Sequence, residues 1–396
     1  MSKESYKRRT KNEGKKKTGR RRTPISVSTQ LRLWVKAGRR CEFLGCNEYL
    51  LRDRLTLSET NYSDIAHIVA VNINGPRGDD PLPLSERNEI DNLMLVCKLH
   101  HKLVDDKKYV RKYPEEKLIK FKREHEDRIL RLTGIISGNK TTIVRLRSNI
   151  GNDSVNIPKE QIYAAIYPRY PEDDKGLEID LTKLPGTDSP SYWKSGAECI
   201  RDTIKRFFAP SIAQRNPEHI SVFALGPIPF LIQLGCSLGS KIPTDVYQKH
   251  WDNQSWVWKK RGNPQRYQVI RRKTNLNQSK VALMLSISGS ISETDIPSNI
   301  SKDYNLYEIT LEGKKPHPMC VRTKGDLYEF KKTYLGLLRE IHTLHSETKE
   351  ILLFPAVPVS VAVMCGIARL PKVDPPFIIY DFNSAKGKFY KTLKVR

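Results

Sequence analysis

The feature that most constrains the fold is a repeat in the C-terminal two-thirds of the chain. Three residues of one copy recur in the other at a constant offset of 131, with Phe223, Pro227 and Gly235 matched by Phe354, Pro358 and Gly366. Upstream, residues 177–181 match residues 307–311 in nearly the same register. Several matches in one register favour an internal duplication over chance.

Each copy has the pattern of a parallel α/β fold. A strand is followed by a helical pattern, over residues 192–208 in the first copy and 327–344 in the second, and then by a strand, a loop, a short helix and a strand ending in Tyr247 or Tyr380. This alternation is typical of a parallel sheet covered by helices. We expect two halves, at about 160–275 and 276–396.

Ligands of open α/β sheets bind beyond the carboxyl ends of the strands. That rule predicts a shared cleft at the loops that contain Gly226-Pro227 and Pro355 to Pro358. The alternative is a plain scaffold whose prolines merely end strands.

The N-terminal third is organised differently. Residues 1–23 hold eleven Lys or Arg and almost no apolar side chain, which predicts a disordered basic arm that either follows a DNA backbone or keeps the chain in solution. A domain is expected over 24–134, closed by a helix between Pro114 and Gly134, and residues 135–159 are expected to be a linker.

Charge and hydropathy narrow the class of function. A formal charge of +25 in 396 residues, with a pI near 9.7, favours a polyanionic partner such as nucleic acid. The absence of a long apolar run and of a secretory signal predicts a chain that does not cross a membrane. Seven scattered cysteines form no disulfide framework, so the cytoplasm is the expected location.

Two close-spaced ligand pairs predict a metal site in the first domain. Cys41 and Cys46 are separated by four residues across a turn, and Cys97 and His100 are separated by two. Three thiolates and one imidazole form a closed tetrahedral set that suits structural Zn²⁺. The alternative is ordinary buried cysteine.

A second histidine, His101, directly follows the proposed zinc ligand and points about 100° away from it on a helix. Together with His67 on a predicted strand and Asn92 before an apolar run, it makes residues 35–132 resemble the HNH (ββα-metal) endonucleases. The resemblance extends to Gly75-Pro76-Arg77 and to Asp105.

The resemblance implies a role for each of these residues. His67 would be the general base, His101 would bind Mg²⁺ or Mn²⁺, and Asn92 would orient the loop and the His67 ring. Arg77 would contact a phosphate or be simply solvated. Many relatives have a second metal ligand immediately before the base, where this chain has Ala66. Asp64, on the same face of the strand, is the expected substitute.

An HNH domain followed by a duplicated α/β region resembles the HNH–SAVED effectors of bacterial CBASS antiphage immunity. The motifs are Phe223 to Pro229 with Gly235, Trp256-Val-Trp258, and Phe354 to Ser360 with Gly366. The resemblance implies a cyclic dinucleotide (cGAMP-like) made by a partner nucleotidyltransferase, which drives homo-oligomerisation, as to a tetramer, and so activates degradation of double-stranded DNA.

The expected fold is therefore an α+β, zinc-stapled ββα-metal domain followed by an α/β SAVED domain of two CARF-like, Rossmann-type halves. Aromatic and basic residues near predicted strand or helix ends are candidates for base stacking and phosphate contact. They join the loop residues named above in the set of candidate ligand contacts, which is Tyr192, Trp193, Lys194, Gly226, Pro227, Pro355, Pro358, Arg369, Tyr380 and Phe382. Trp251, Trp256 and Trp258 are expected to be core or interface aromatics.

Two other hypotheses about the function of the chain stay open. One is an HNH restriction endonuclease whose C-terminal domain senses modified DNA. The other is a non-catalytic zinc module that binds nucleic acid. The complete set of His67, Asn92 and His101 argues against the non-catalytic module, and the duplicated cleft argues against the sensor of modified DNA.

Overall fold

The computed structural model describes residues 24–396 except 54, 150–155, 187–188, 210–216, 261 and 275–278. The predicted basic arm over 1–23 lies outside the described residues. Backbone contacts divide the chain into two compact units, with the boundary between Gly134 and Ile135. Each unit is described by itself below.

The first unit is a small α+β domain. Its regular elements are α1 (Val27–Ala37), β1 (Ser63–His67), β2 (Leu93–Cys97), α2 (Lys98–Asp105) and α3 (Glu115–Thr133). The predicted last helix is present as α3, which begins after Pro114 with two glutamates in its first turn and ends at Gly134. Acidic side chains there complement the positive end of the helix dipole.

The two strands form an antiparallel hairpin that places the chemistry-bearing side chains. In its register Ser63 pairs with Cys97 and His67 pairs with Leu93. The chain passes from Cys97 directly into α2, so the end of β2 and the start of α2 lie beside the beginning of β1. β2 is almost wholly buried, and it packs in one apolar core with Leu33 of α1 and with Leu118 and Phe121 of α3.

The first half of the second unit is a parallel α/β layer. Its elements are β3 (Lys140–Arg147), α4 (Lys159–Ile166), β4 (Tyr170–Pro171), β5 (Leu177–Asp180), α5 (Pro190–Phe207), β6 (Ile220–Leu225), α6 (Ile228–Leu238) and β7 (Thr244–Val246). The sheet order is β4-β3-β6-β7, with β5 also paired to β3, and the pairings are parallel. β6 is buried along its whole length, as expected for a central parallel strand.

The second half repeats this plan. Its elements are β8 (Tyr267–Lys273), β9 (Val281–Ser286), α7 (Ser298–Asp303), β10 (Asn305–Leu311), α8 (Lys324–Leu344), β11 (Ile351–Ala356), α9 (Val359–Ala368), β12 (Phe377–Asn383) and β13 (Lys388–Val395). The sheet order is β13-β12-β11-β9-β10-β8, and its antiparallel edge strands β8 and β13 flank four parallel strands in the described residues.

The duplication predicted from the sequence is present as matching topology. The strand order β5-β3-β6-β7 of the first half corresponds to β10-β9-β11-β12 of the second, and helices α5 and α6 correspond to α8 and α9. Buried side chains of both halves belong to one continuous apolar core. The halves are therefore parts of one domain.

The boundaries predicted from the sequence need correction. The expected linker over 135–159 contains β3, a central strand of the first sheet, and the first half therefore begins well before residue 160. The polar residues of β3 led to the wrong prediction of a linker. The arginines of this strand pair with acidic side chains of β5 instead of facing a core. Among the residues that the structure describes, no helix combines the length and the apolar composition needed to cross a membrane.

Candidate functional site

Four predicted metal ligands converge in the first unit. Cys41 and Cys46 come from the loop that follows α1, Cys97 ends β2, and His100 lies in the first turn of α2. One ligand atom from each of the four lies within 4.8 Å of the others. His100 Nδ1 is 3.1 Å from Cys97 Sγ and 3.6 Å from Cys41 Sγ.

The electrostatics of this cluster fit a soft divalent cation. Burial raises the pKa of the Cys41 thiol, and the neighbouring cysteines raise it further, because several thiolates repel one another without a cation between them. Burial lowers the pKa of His100, which favours the neutral imidazole that a metal requires. The Phe43 ring stacks on His100 at 4.2 Å and fixes its plane. The donor set and its geometry fit zinc.

A second, more exposed group is centred on His101, the next residue of the same helix. His101 points away from the cysteine cluster, and its Nδ1 lies 3.5 Å from Asp64 Oδ2 on β1. Its Nε2 lies 3.3 Å from Asp105 Oδ2, one helical turn further along α2. The three side chains are between 31% and 51% exposed, so an ion or a phosphate can reach them from solvent.

Asn92 organises the segment that follows His67. Its Oδ1 accepts a hydrogen bond from the Val69 N–H at 2.8 Å, and its Nδ2 donates to the carbonyls of Val69 and Arg87. The ring of His67 is held by a residue that the sequence analysis missed, since His67 Nε2 lies 3.0 Å from Asn88 Oδ1. Sequence order alone carries no signal for Asn88, because it sits in an irregular loop 21 residues away.

Arg77 is not a phosphate contact in this structure. Its side chain is 7% exposed and donates hydrogen bonds to the backbone carbonyls of Ile68, Val104 and Tyr113. The guanidinium therefore ties the segment after His67 to the end of α2. Arg87, which the sequence analysis also missed, is buried in the same way and donates to carbonyls between Ala70 and Leu82.

Several candidate ligand contacts of the second unit are packing residues. Tyr192, Trp193 and Tyr380 are each less than 9% exposed and lie in the apolar cores. Arg369 is 2% exposed, follows the last turn of α9, and donates to the carbonyls of Asp374 and Pro375. It therefore lies at the opposite end of α9 from Pro358. Helical and strand periodicity placed these residues near element ends but could not show which side faces the core.

The remaining candidates do lie at the carboxyl ends of the parallel strands. Gly226 and Pro227 follow β6, and Pro227 and Pro358 directly precede α6 and α9. Lys194 and Phe382 are exposed, on the first turns of α5 and near the end of β12. The two halves are joined at this edge, since Gln248 Oε1 accepts hydrogen bonds from the backbone N–H and hydroxyl of Ser360.

We call the neighbouring surface the carboxyl-edge junction and define it as residues 247–259, after β7, together with residues 312–323, after β10. The backbone N–H of Lys259 donates to the Arg322 carbonyl at 3.0 Å. The Arg322 guanidinium lies 3.1 Å from Asp252. Trp256 and Trp258 are buried, as expected, whereas Trp251 is 51% exposed.

Comparison with known families supports a sensor function for the second unit. Residues 200–395 match the SAVED family, described as "SMODS-associated and fused to various effectors sensor domain". A SAVED sensor domain therefore occupies this part of the chain. The match begins inside α5 and leaves β3, β4 and β5 outside it. No curated protein matches the chain.

Solved structures to which the chain is similar include SAVED/CARF-domain containing Cap4 receptors. The receptor of Acinetobacter baumannii with the cyclic trinucleotide 3'3'3'-cAAA is 11% identical, with a TM-score of 0.46, over 74% of this chain and 62% of that one. The receptor of Moraxella osloensis is 11% identical, with a TM-score of 0.40, over 75% and 60%. The chain thus spans less than two thirds of the length of these receptors. No residue role is transferred from them.

Proposed function

We propose that the chain is a DNA endonuclease of the HNH type that is activated when a cyclic dinucleotide binds its SAVED domain. The observation that carries the nuclease proposal is the pair of consecutive histidines on α2. His100 faces three cysteines, while His101 faces Asp64 on the neighbouring strand. A purely structural zinc site needs only the first of these two groups.

Zn²⁺ is proposed for the cysteine cluster, where it would staple the loop after α1 to the hairpin and to α2. This unit has a small apolar core, so metal binding contributes directly to its folding free energy. The zinc site thereby holds α2 in the orientation that presents His101 to Asp64.

A divalent cation such as Mg²⁺ or Mn²⁺, bound by Asp64 and His101, would neutralise charge at the scissile phosphate of double-stranded DNA. Asp64 lies on the Nδ1 side of the His101 ring and Asp105 on the Nε2 side. Asp64 belongs to the strand that ends in His67, so the cation is assigned to the Nδ1 side, close to the proposed base. Asp105 would then accept the Nε2 proton and orient the ring, as carboxylates commonly do for metal-bound histidine.

His67 would accept the proton of the attacking water. Asn88 Oδ1 faces Nε2 of His67 and selects the tautomer that carries its proton there, which leaves the Nδ1 lone pair as the base. Asn92 and Arg77 would position this ring indirectly, because both hold the backbone of the segment that follows it. The net charge of +25 supports a nucleic-acid partner.

The SAVED domain supports gating by a nucleotide made by a partner nucleotidyltransferase. We infer that the nucleotide occupies the carboxyl edge shared by the two halves, since ligands of parallel sheets bind at that edge. Binding there would drive oligomerisation of the chain and so switch on cleavage.

The test is plasmid cleavage by the purified full-length chain, with Mg²⁺ and a panel of cyclic di- and trinucleotides. Cleavage is expected only when Mg²⁺ and one nucleotide are both present. His67→Ala should abolish cleavage while nucleotide affinity and zinc content are unchanged, and His342→Ala, an exposed histidine of α8, is the matched control. Full cleavage without nucleotide contradicts gating, and cleavage by His67→Ala at the wild-type rate contradicts the proposed base.

A further inference from the structure

Trp251 is an exposed aromatic side chain at the carboxyl-edge junction. It is 51% exposed, whereas Trp193, Trp256 and Trp258 of the same unit are at most 8% exposed. Leaving half of an indole in water forgoes burial that a folded chain ordinarily gains. Trp251 also lies in the loop after β7, at the carboxyl end of that parallel strand.

The Trp251 ring contacts the side chain of Lys249. The Nζ of Lys249 lies 5.9 Å from its ring centroid and 5.9 Å from that of Trp256, so one ammonium group contacts both indoles. Lys249 is itself 7% exposed and donates to the Gln254 carbonyl at 2.7 Å and to Gln161 Oε1 at 3.1 Å. These contacts favour one orientation of the ring before a ligand binds.

The short loop that carries Trp251 is also closed by backbone hydrogen bonds between its two ends. His250 and Ser255 exchange two backbone hydrogen bonds, at 2.7 and 3.2 Å. The Gln254 amide donates to the Trp251 carbonyl at 3.1 Å. A rigid aromatic platform loses little conformational entropy on binding, which favours recognition of a flat ligand.

The groups that surround Trp251 come from both halves of the domain. Residues 248–252 and the segment from Pro318 to Arg322 line one shallow depression. Met319 is 51% exposed there, and the Arg322 side chain is 53% exposed. Asp252 lies 3.1 Å from Arg322 and 3.8 Å from Lys259, so one carboxylate is shared by two cations and positive charge remains in excess.

We propose that Trp251 is the surface on which one base of the cyclic nucleotide stacks, with Met319 beside that base and Arg322 contacting a phosphate. This inference rests on the proposed function of the SAVED domain as a nucleotide sensor. The Trp251 ring offers a flat apolar surface for a base. The neighbouring Arg322 can exchange Asp252 for a phosphate, so the two side chains match the two parts of a nucleotide. Because the depression is formed by both halves, a ligand bound there would join them.

The test measures nucleotide affinity of the full-length chain by calorimetry and by tryptophan fluorescence, with the cyclic nucleotide that activates cleavage. Trp251→Ala should weaken binding roughly 10- to 100-fold, the usual effect of removing one stacking ring. Trp251→Phe should keep affinity within a few-fold of the wild type but lose most of the fluorescence change on binding. Arg322→Gln should weaken binding in a salt-dependent way.

The matched control is Tyr328→Ala, which removes an exposed aromatic of α8 outside the depression and should bind like the wild type. Wild-type affinity in Trp251→Ala overturns the platform but leaves the gating proposal intact. A change in sedimentation of Trp251→Ala with unchanged nucleotide affinity assigns the patch to contact between copies and also overturns it. Failure of the wild-type chain to bind any cyclic nucleotide overturns the proposed function and this inference together.

Discussion

Gly235 of α6 lies directly against Gly366 of α9 where the two helices cross. A Cβ atom added to Gly235 would overlap the Val363 carbonyl, and one added to Gly366 would overlap the Ile232 carbonyl. These glycines are the pair related by the 131-residue offset. Equivalent residues that touch each other place the pseudo-two-fold axis of the duplicated domain at this crossing. The glycines are therefore required by close backbone contact between the halves.

Gly235→Ala or Gly366→Ala should destabilise the SAVED domain by about 2 kcal/mol or more, because the added methyl group forces the helices apart in a fully packed core. Gly336→Ala on α8 is the control. Nothing lies within 4 Å of a Cβ at that position, so it should be neutral or stabilise by up to about 1 kcal/mol. Denaturant unfolding of the three variants measures the difference. Equal stability of Gly235→Ala and Gly336→Ala would contradict the helix contact.

Cys97→Ser should lower bound zinc and the stability of the first unit together, since the cluster has the donor atoms of a structural zinc site. Cys199→Ser, which changes a cysteine of α5 far from the cluster in sequence, should leave the metal content unchanged. Metal analysis by mass spectrometry and thermal unfolding report the two effects. An unchanged zinc content in Cys97→Ser would exclude the assignment.

Asp105→Asn tests whether this carboxylate orients His101. The variant should lower Mn²⁺ affinity roughly 10- to 100-fold, the range for outer-shell partners of metal ligands, while zinc content stays constant. Calorimetric titration with Mn²⁺ measures the affinity, and nitrogen chemical shifts of His101 report its tautomer. Asp127→Asn, which alters an exposed carboxylate on α3, is the matched control. Wild-type affinity and tautomer in Asp105→Asn would remove Asp105 from the site.

Arg77→Lys separates a backbone clamp from a phosphate contact. Lysine keeps the charge but cannot donate to three carbonyls in the geometry of a guanidinium, so the free energy of unfolding should fall by about 1–3 kcal/mol. Urea unfolding without DNA measures this loss. A variant that is as stable as the wild type but binds DNA more weakly would restore the phosphate contact expected from the sequence.

His219 should make the second unit less stable in acid. Burial, followed by the charge of Arg169, lowers the pKa of His219 to about 4, although Asp245 opposes the shift and Lys324 adds to it. In the unfolded chain the pKa of His219 is near 6.5, so the unfolded state takes up the proton at a higher pH than the folded state does. The contribution of His219 to stability is therefore fully present above about pH 6.5 and is lost as the pH falls toward 4.

The size of this loss is on the order of 2–3 kcal/mol. His219→Asn removes the titrating group and should flatten the dependence of the unfolding midpoint between pH 6.5 and 4. The Thr141 hydroxyl, 2.8 Å from His219 Nδ1, can bond the new amide. An identical pH profile in both proteins would contradict the assignment.

Patterns within short stretches of the chain were sufficient to predict much of the fold and the cluster of Cys41, Cys46, Cys97 and His100. Pro114, two glutamates and Gly134 delimit α3 because helix ends are decided by local backbone geometry and local charge. The spacing of Cys41, Cys46, Cys97 and His100 was informative because few structures other than a metal site use such pairs. The 131-residue offset revealed the duplicated halves, whose matching strand order the structure shows.

Which side chains are accessible to a ligand was decided only by the tertiary structure. Arg77, Trp193 and Arg369 have chemistry suited to a ligand, yet packing buries all three, while Trp251 remains in water. Asn88 meets His67 across 21 residues of irregular loop, and Arg322 meets Asp252 across 70. Burial and such long-range contacts depend on how distant elements fill space around one another. Such packing produces no periodic pattern in the amino-acid sequence.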